Sequence, residues 1–188
     1  MSVRILALVG SLRSGSHNRQ LAQAAARNAP EGSEVTVYEG LDEVPFYNED
    51  VDASGTVPAA ASALREAAAR ADALLLLSPE YNGTMPAVLK NAIDWLSRPF
   101  GAGAIAGKPV AVIGTAFGRY GGVWAHDDAR KSVGIAGATV LEELKLSIPD
   151  SVNRFADTHP ADDPEVTEKL TWLLADLASQ AAVTAQRA

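Results

Sequence analysis

The chain has 188 residues and a formal net charge of −7, and 47% of its residues are hydrophobic. This length predicts one compact domain over residues 1–188, and the apolar content excludes an intrinsically disordered chain. The absence of cysteine excludes disulfides, thiolate metal sites and cysteine nucleophiles, and the negative charge argues against binding to nucleic acid.

The first half of the chain alternates strands and helices. The apolar run VRILALVG (3–10) predicts a buried strand rather than a signal peptide, because it continues into a polar loop. An alanine-rich helix follows at 18–28, and a strand of alternating polarity follows at 33–40. A long polar connection then leads to a second helix at 59–71, and loops of this length often carry function. No segment approaches the roughly 20 apolar residues that a membrane-spanning helix needs.

The second half continues the alternation. The run ADALLLLSPE predicts a third, central strand, and a third helix opens at Pro86 with Thr84 near its N-cap. The remaining predicted elements are a strand at 108–116, a helix at 121–137 closed by Gly137, a strand within 138–148, and a helix at 164–182 that begins at Pro164 behind Asp163.

Five strands that alternate with helices predict a parallel sheet, because parallel strands need crossover connections. We predict an α/β fold, a flavodoxin-like three-layer sandwich with a five-stranded parallel sheet in the order 2-1-3-4-5 and helices on both faces. Ligands of such sheets bind outside the carboxyl ends of the strands, at the switch point between strands 1 and 3. This rule selects the loops at 10–18, 78–85 and 115–122.

The first of these loops, GSLRSGSHN, has the composition of an anion site. Its serines, Arg13 and Asn18 supply donors, and the helix behind it adds unpaired backbone N–H groups and a partial positive charge. No acidic residue occurs between Met1 and Pro30, although the protein is acidic. We predict that this loop binds a phosphate; the alternative is a serine-rich connection that only caps the helix.

Two common phosphate motifs do not fit the loop. Gly10 and Gly15 have the spacing of a Walker loop, but Ser16 stands where that motif needs lysine. Leu12 replaces the middle glycine of the dinucleotide fingerprint. A loop dominated by hydroxyl groups suits a terminal phosphomonoester better than a pyrophosphate.

The second loop, in SPEYNGTMP, combines a proline corner, a flat ring and a glycine. Backbone N–H and C=O groups in such a loop can bond the edge of a planar heterocycle. The alternative is an ordinary turn in which Glu80 and Asn82 are solvated.

GSLRSGSHN, SPEYNGTMPAVLKNAIDWLSRP and GTAFGRYGG together resemble the NAD(P)H-dependent FMN reductases. This flavodoxin-like family includes quinone, azo-dye and chromate reductases, and the similarity extends over nearly the whole chain. The resemblance implies an FMN-dependent enzyme that passes hydride from NADPH or NADH through flavin N5 to free flavin, a quinone or a similar small acceptor. It implies no catalytic side chain. We also predict no metal, because His17, His126 and His159 do not have the spacing of metal ligands. The resemblance also implies a homodimer or homotetramer, and the lack of cysteine fits a cytoplasmic protein.

The resemblance also assigns cofactor-binding residues. Those that would bind the FMN phosphate are Ser11, Arg13, Ser16, His17 and Asn18. Those that would lie along the isoalloxazine ring and ribityl chain are Pro79, Glu80, Tyr81, Asn82 and Gly83. Those that would close the remaining side are Thr115, Gly118, Gly121 and Gly122. The third loop departs from the family, since it has Thr115-Ala116-Phe117-Gly118 where Ser-Pro-Gly is common.

We predict ordinary structural roles for the other candidate residues. His126, Asp127 and Asp128 form a solvated helix face, and Lys90 and Asp94 form an exposed ion pair. Trp95 and Leu96 belong to the core or to a subunit interface. Two other functions stay open. One is a flavodoxin-type electron carrier that acts with protein partners, although residues 11–16 do not match the usual T-x-T-G-x-T loop. The other is a flavin-free interaction protein that kept the scaffold.

Overall fold

The computed structural model describes residues 2–53 and 55–186. Its strands are β1 (Val3–Val9), β2 (Ser33–Val37), β3 (Ala73–Leu77), β4 (Pro109–Thr115) and β5 (Thr139–Ile148). Its helices are α1 (His17–Arg27), α2 (Ala59–Arg70), α3 (Ala87–Leu96), α4 (Val123–Ile135), α5 (Ser151–Arg154) and α6 (Pro164–Ala185). The single domain predicted for 1–188 includes residues 1, 54, 187 and 188, which lie outside the described residues.

All the neighbouring strands pair in parallel, in the order β2-β1-β3-β4-β5. This order confirms the predicted flavodoxin-like sheet. β1 and β3 lie side by side at its centre, with Ala7 opposite Leu75 and Val9 opposite Leu77. Their carboxyl ends therefore reach the same edge, where the connection from β1 runs to one side of the sheet and that from β3 to the other.

The alternation of side chains along the strands builds a core on each face of the sheet. Leu75 and Leu77 pack on one face with α1 and α6, and Leu74 and Leu76 pack on the other with α2, α3 and α4. Every residue of β3 is buried. This explains why β3 is an unbroken apolar run rather than an alternating one, since strands covered on both faces have no solvent side.

The ends of two helices test the predicted capping signals. Helix α6 begins at Pro164 as predicted, and the Asp163 side chain caps it by accepting a hydrogen bond from the Val166 N–H at 3.1 Å. Helix α3 differs from the prediction. Pro86 is its N-cap residue rather than its first helical residue. No side chain of the described residues caps this end, so Thr84 does not serve there.

Side chains on α3 have the structural roles that the sequence predicted. Trp95 and Leu96 are 0% and 1% exposed, so they belong to the core. The Lys90 ammonium lies 2.6 Å from the Asp94 carboxylate on the helix surface, as an exposed i, i+4 ion pair.

The pairing of β4 with β5 is irregular. Val110 pairs with Val140. Two residues further along β4, Val112 pairs with Lys145, so β5 bulges between the two pairs. The buried Arg130 of α4 donates from Nη2 to the Val112 carbonyl at 2.8 Å, beside this bulge. The polarity pattern predicted a fifth strand here but carried no sign of the bulge.

The long connection between β2 and α2 is fixed to α3. Asn91, which is 7% exposed, accepts a hydrogen bond from the Tyr47 N–H at 2.8 Å. Its amide nitrogen donates to the carbonyls of Val44 and Pro45 at 3.2 and 3.0 Å. The Trp95 indole also donates to Pro45, at 2.7 Å. A connection of this length is therefore ordered here, because two side chains of α3 form hydrogen bonds with its backbone N–H and C=O groups.

We expect Asn91→Ala to lower the free energy of unfolding by about 2 to 3 kcal/mol, because it leaves buried backbone groups of the connection without partners. Urea denaturation with a constant m-value measures the loss. The exposed Asn153→Ala is the matched control, with an expected change below about 0.5 kcal/mol. Equal midpoints for the two variants would contradict the role assigned to Asn91.

Candidate functional site

Three loops converge at the carboxyl edge of the sheet, as the switch-point rule predicted. They lie at the carboxyl ends of β1, β3 and β4. We call them loop 1 (10–18, which includes the first two residues of α1), loop 2 (78–85) and loop 3 (115–122, which includes the last residue of β4). The Gly10 N–H donates to the Leu77 carbonyl at 2.8 Å, which joins the start of loop 1 to the end of β3. The Ser78 N–H donates to the Ile113 carbonyl at 3.0 Å, which joins the start of loop 2 to β4.

Loop 1 leaves several donors without acceptors in the described chain. The backbone N–H groups of His17 and Asn18, in the first turn of α1, have no acceptor there. Ser11 is 5% exposed and its hydroxyl makes no hydrogen bond, and the exposed Arg13 makes no ion pair, within the same residues. An anion at this helix end would meet donors and a partial positive charge, with no carboxylate from loop 1 beside it.

Two other predicted residues of this region also have structural contacts. Ser16 is the N-cap of α1, and its hydroxyl oxygen accepts a hydrogen bond from the Arg19 N–H at 3.3 Å. Its hydroxyl proton stays available to a ligand. The His17 ring packs edge-on against Phe155 with 5.7 Å between centroids. Burial first, and then the charge of Arg13, lower the pKa of His17, so its neutral form is favoured.

Asn18 joins loop 1 to loop 3. Its side chain is buried; its amide nitrogen donates to the Thr115 carbonyl at 2.8 Å, and its amide oxygen accepts from the Thr115 N–H at 3.0 Å. The Thr115 hydroxyl in turn donates to the Ile148 carbonyl of β5 at 2.9 Å. Both side chains and the Thr115 backbone are therefore engaged in holding the edge of the sheet together. Of these two residues, only Asn18 keeps a backbone N–H for a ligand, within the residues that the structure describes.

Loop 2 contains a two-residue hairpin. Tyr81 and Thr84 exchange backbone hydrogen bonds of 3.1 and 3.2 Å, and the two residues between them have positive φ, 54° at Asn82 and 78° at Gly83. Asn-Gly is the preferred pair for this type I′ turn, because both positions need φ above zero. A Cβ on Gly83 would meet no atom within 4 Å, so this glycine is explained by its φ and not by a close approach. Tyr81, the first residue of this hairpin, is 53% exposed.

Loop 2 is also tied to α4. The Glu80 carboxylate accepts a hydrogen bond from the Ala125 N–H, in the first turn of α4, at 3.3 Å. The N-cap residue of α4 is Gly122, which has no side chain to offer, so Glu80 supplies the negative charge that a helix N-terminus attracts. The Thr84 hydroxyl donates to Asp128, one turn further along α4.

The prediction of a solvated face for His126 is wrong. The side chain is 0% exposed; its Nε2 lies 2.9 Å from the Ser78 carbonyl, and its Nδ1 lies 2.7 Å from the Ser147 hydroxyl. Burial lowers the pKa of His126 to about 4. A periodic signal was present, since Ala129 and Val133 are also buried at helical spacing from it. The adjacent aspartates masked that signal.

Loop 3 places its predicted residues at the same edge, but not in equivalent positions. Thr115, Gly121 and Gly122 are buried, whereas Gly118 is exposed. Phe117 is 74% exposed. Sequence reasoning missed the aromatic pair of Tyr120 and Trp124, whose rings meet edge to face at 5.1 Å.

Two observations concern other kinds of site. Among residues 2–53 and 55–186, no three His, Asp or Glu side chains are close enough together to hold a metal ion. Within the same described ranges, no helix has the length and apolarity to cross a membrane.

Comparison with known proteins relates this fold and site to one family. The family model described as NADPH-dependent FMN reductase matches residues 3–153. The chain is 43% identical over 155 residues to a 2-hydroxy-1,4-benzoquinone reductase of Burkholderia sp, an alignment that covers 82% of this chain and 83% of the relative. It is 39% identical over 153 residues to an NAD(P)H-dependent FMN reductase of Pseudomonas aeruginosa, with 81% of each chain covered. Among solved structures, the flavoenzyme NAD(P)H:(acceptor) oxidoreductase FerB from Paracoccus denitrificans superposes with a TM-score of 0.85 and 27% identity, over 97% of this chain and 98% of that one.

Proposed function

Because this chain belongs to the NADPH-dependent FMN reductase family, we propose that its three loops bind FMN and that it reduces quinones at the expense of NAD(P)H. It is an FMN-dependent NAD(P)H oxidoreductase. One observation carries the assignment of the site. At the N-terminus of α1, the loop that follows β1 presents backbone donors, a serine hydroxyl and an arginine that have no hydrogen-bond or ion-pair partner among residues 2–53 and 55–186.

The donors of loop 1 fit a phosphate dianion. We assign to it the backbone N–H groups of His17 and Asn18, the hydroxyl groups of Ser11 and Ser16, and the Arg13 guanidinium. Hydrogen bonds between such donors and a charged acceptor are about twice as strong as neutral ones. The neutral form of the His17 ring, which burial favours, can still donate one ring N–H to the phosphate.

The other two loops supply the walls for the flavin ring. We assign Pro79, Glu80, Tyr81, Asn82 and Gly83 to one side and Thr115, Gly118, Gly121 and Gly122 to the other. When bound, FMN supplies the hydride chemistry, so the chain needs no nucleophile and no metal. The chain has to bind and orient FMN, and to place backbone N–H groups where negative charge would develop on the reduced flavin. Loop 2 can hold a fixed position because its hairpin and its three contacts with α4, from Ser78, Glu80 and Thr84, order it before any ligand arrives.

Relatives named for quinone reduction include the Burkholderia protein above and a quinone reductase of Pseudomonas putida that is 36% identical over 85% of this chain and 84% of the relative. We therefore propose a quinone as the acceptor, with NADH or NADPH as the donor, in the cytoplasm. We also propose a homodimer or homotetramer. A groove of about 640 Å³ runs beside α3 and α4, and Phe100 and Ile135 on its wall are 89% and 76% exposed. A subunit interface would cover these apolar side chains.

The absorption spectrum of the purified protein tests the proposed function, followed by NAD(P)H oxidation with FMN and a benzoquinone. We expect the flavin bands of bound FMN and consumption of NAD(P)H with no partner protein present. Free FMN at the same concentration and heat-denatured protein are the controls. A protein that binds no FMN overturns the proposal in favour of a flavin-free interaction protein. Bound FMN with NAD(P)H oxidation only after addition of a partner protein would favour an electron carrier.

A further inference from the structure

We infer that His126 is a positioning residue, which holds the backbone at the start of loop 2 in the position that FMN binding requires. The inference rests on the proposed function. His126 lies on α4, outside the three loops, and its ring reaches the backbone at the point where β3 becomes loop 2.

The ring spans the carboxyl edge of three strands. Nε2 bonds the carbonyl of Ser78, the first residue after β3, and Nδ1 bonds the hydroxyl of Ser147 in β5. Between them lies β4, and the ring passes over it at Gly114, where an added Cβ would come within 2.5 Å of Nε2. The imidazole therefore sets the spacing between β3, β4 and β5 at the edge where the loops begin.

The hydrogen-bond pattern fixes the tautomer of the ring. A carbonyl only accepts, so Nε2 carries the proton and donates to Ser78. Nδ1 is then the acceptor, and the Ser147 hydroxyl donates to it. A pKa of about 4 keeps the ring neutral at physiological pH, so Nδ1 remains an acceptor. Two charges act on the ring, both from α4: Arg130 opposes its protonation and Asp127 favours it.

Loop 2 depends on this contact because its other contacts with α4 lie further along the loop. Glu80 reaches the first turn of α4, and Thr84 reaches Asp128. The Ser78 carbonyl is the contact nearest to the strand, and it immediately precedes Pro79. Without the ring, the Ser78 carbonyl and the Ser147 hydroxyl each lose a hydrogen-bond partner. The backbone position from which Pro79 to Gly83 continue is then no longer fixed by α4.

The affinity for FMN tests this inference, measured by quenching of flavin fluorescence well below the melting temperature. His126→Leu fills a similar volume without either hydrogen bond, and we expect it to weaken FMN binding by about tenfold. His126→Gln can both donate and accept, and we expect its Kd to stay within about threefold of the wild type. Asn91→Ala is the control for lost stability, since Asn91 orders a different loop; we expect an unchanged Kd despite a lower melting temperature.

Each outcome separates the inference from the proposed function. A wild-type chain that binds no FMN contradicts the proposed function itself. If the wild type binds FMN, two results overturn the positioning role alone. One is a His126→Leu protein that binds FMN as tightly as the wild type, and the other is an Asn91→Ala protein that loses as much affinity as His126→Leu. Should His126→Leu fail to fold, Ser147→Ala serves instead, because it keeps the ring and removes the donor to Nδ1. A Kd more than about threefold weaker then supports the inference, and a Kd within about threefold of the wild type overturns it.

Discussion

Gly114→Ala is expected to lower the free energy of unfolding by about 3 kcal/mol or more, the upper range for overpacking a rigid site. A Cβ at this position would lie 2.2 Å from the Ser78 carbonyl oxygen, 2.5 Å from Nε2 of His126 and 3.0 Å from the amide oxygen of Asn18. Ser78 contributes backbone and cannot swing away. The two side chains are each held by two hydrogen bonds, so relief at one contact breaks another.

Thermal unfolding measures this effect, and the melting temperature should fall by roughly 6 to 12 °C, at 2 to 4 °C for each kcal/mol in a domain of this size. Gly118→Ala, in loop 3, is the matched control. Its added Cβ meets no atom within 4 Å, so we expect its melting temperature to match the wild type. A Gly114→Ala protein as stable as Gly118→Ala would show that the carboxyl edge is not packed as described.

The fold could be predicted because its signals are local. The apolar run of β3 and the capping residue of α6 each lie within one short segment of sequence, and so does every strand and helix of the alternating order. The crossover rule for parallel sheets then predicts the topology from the order of the elements. The position of the switch point predicts which three loops form the site. None of these steps needs a contact between distant residues.

The details of the site could not be predicted because their partners are far away in the sequence. Asn18 and Thr115 are 97 residues apart, and His126 and Ser78 are 48 apart. A polar residue on a helix is solvated by default, and only the folded chain supplies the carbonyl that makes its burial tolerable. The resemblance to the FMN reductases assigned Asn18 and Glu80 to the cofactor, whereas the structure also engages their side chains in joining the loops.

The same contacts divide the site into a rigid frame and an open set of donors. Asn18, His126 and Glu80 use their side chains on the protein itself, so the edge of the sheet is ordered by the fold alone. Ser11 and Arg13 make no such hydrogen bond or ion pair within the described ranges, 2–53 and 55–186. Substitutions in the frame should therefore change stability and binding together, whereas substitutions among the open donors should change binding alone.

Arg13→Ala makes the clearest test of that division, and it should weaken FMN binding by about tenfold to a hundredfold. A charge-assisted hydrogen bond contributes about 1.5 to 3 kcal/mol, and its loss accounts for this range. Arg13 is exposed, so its removal leaves no cavity, and the melting temperature of the protein without FMN should not change. The loss should shrink as salt is added, because the charge acts at the surface, where ions screen it.

Titration of flavin fluorescence at low and high salt measures the change in Kd, with Arg70→Ala as the control. Arg70 is also an exposed arginine, but it pairs with Glu66 on α2, away from the three loops. Its removal should leave the Kd unchanged, although it alters the net charge by the same amount. If the two variants bound FMN equally well, the phosphate would not lie at the α1 N-terminus, because a cation there must act on a dianion more strongly than one on α2.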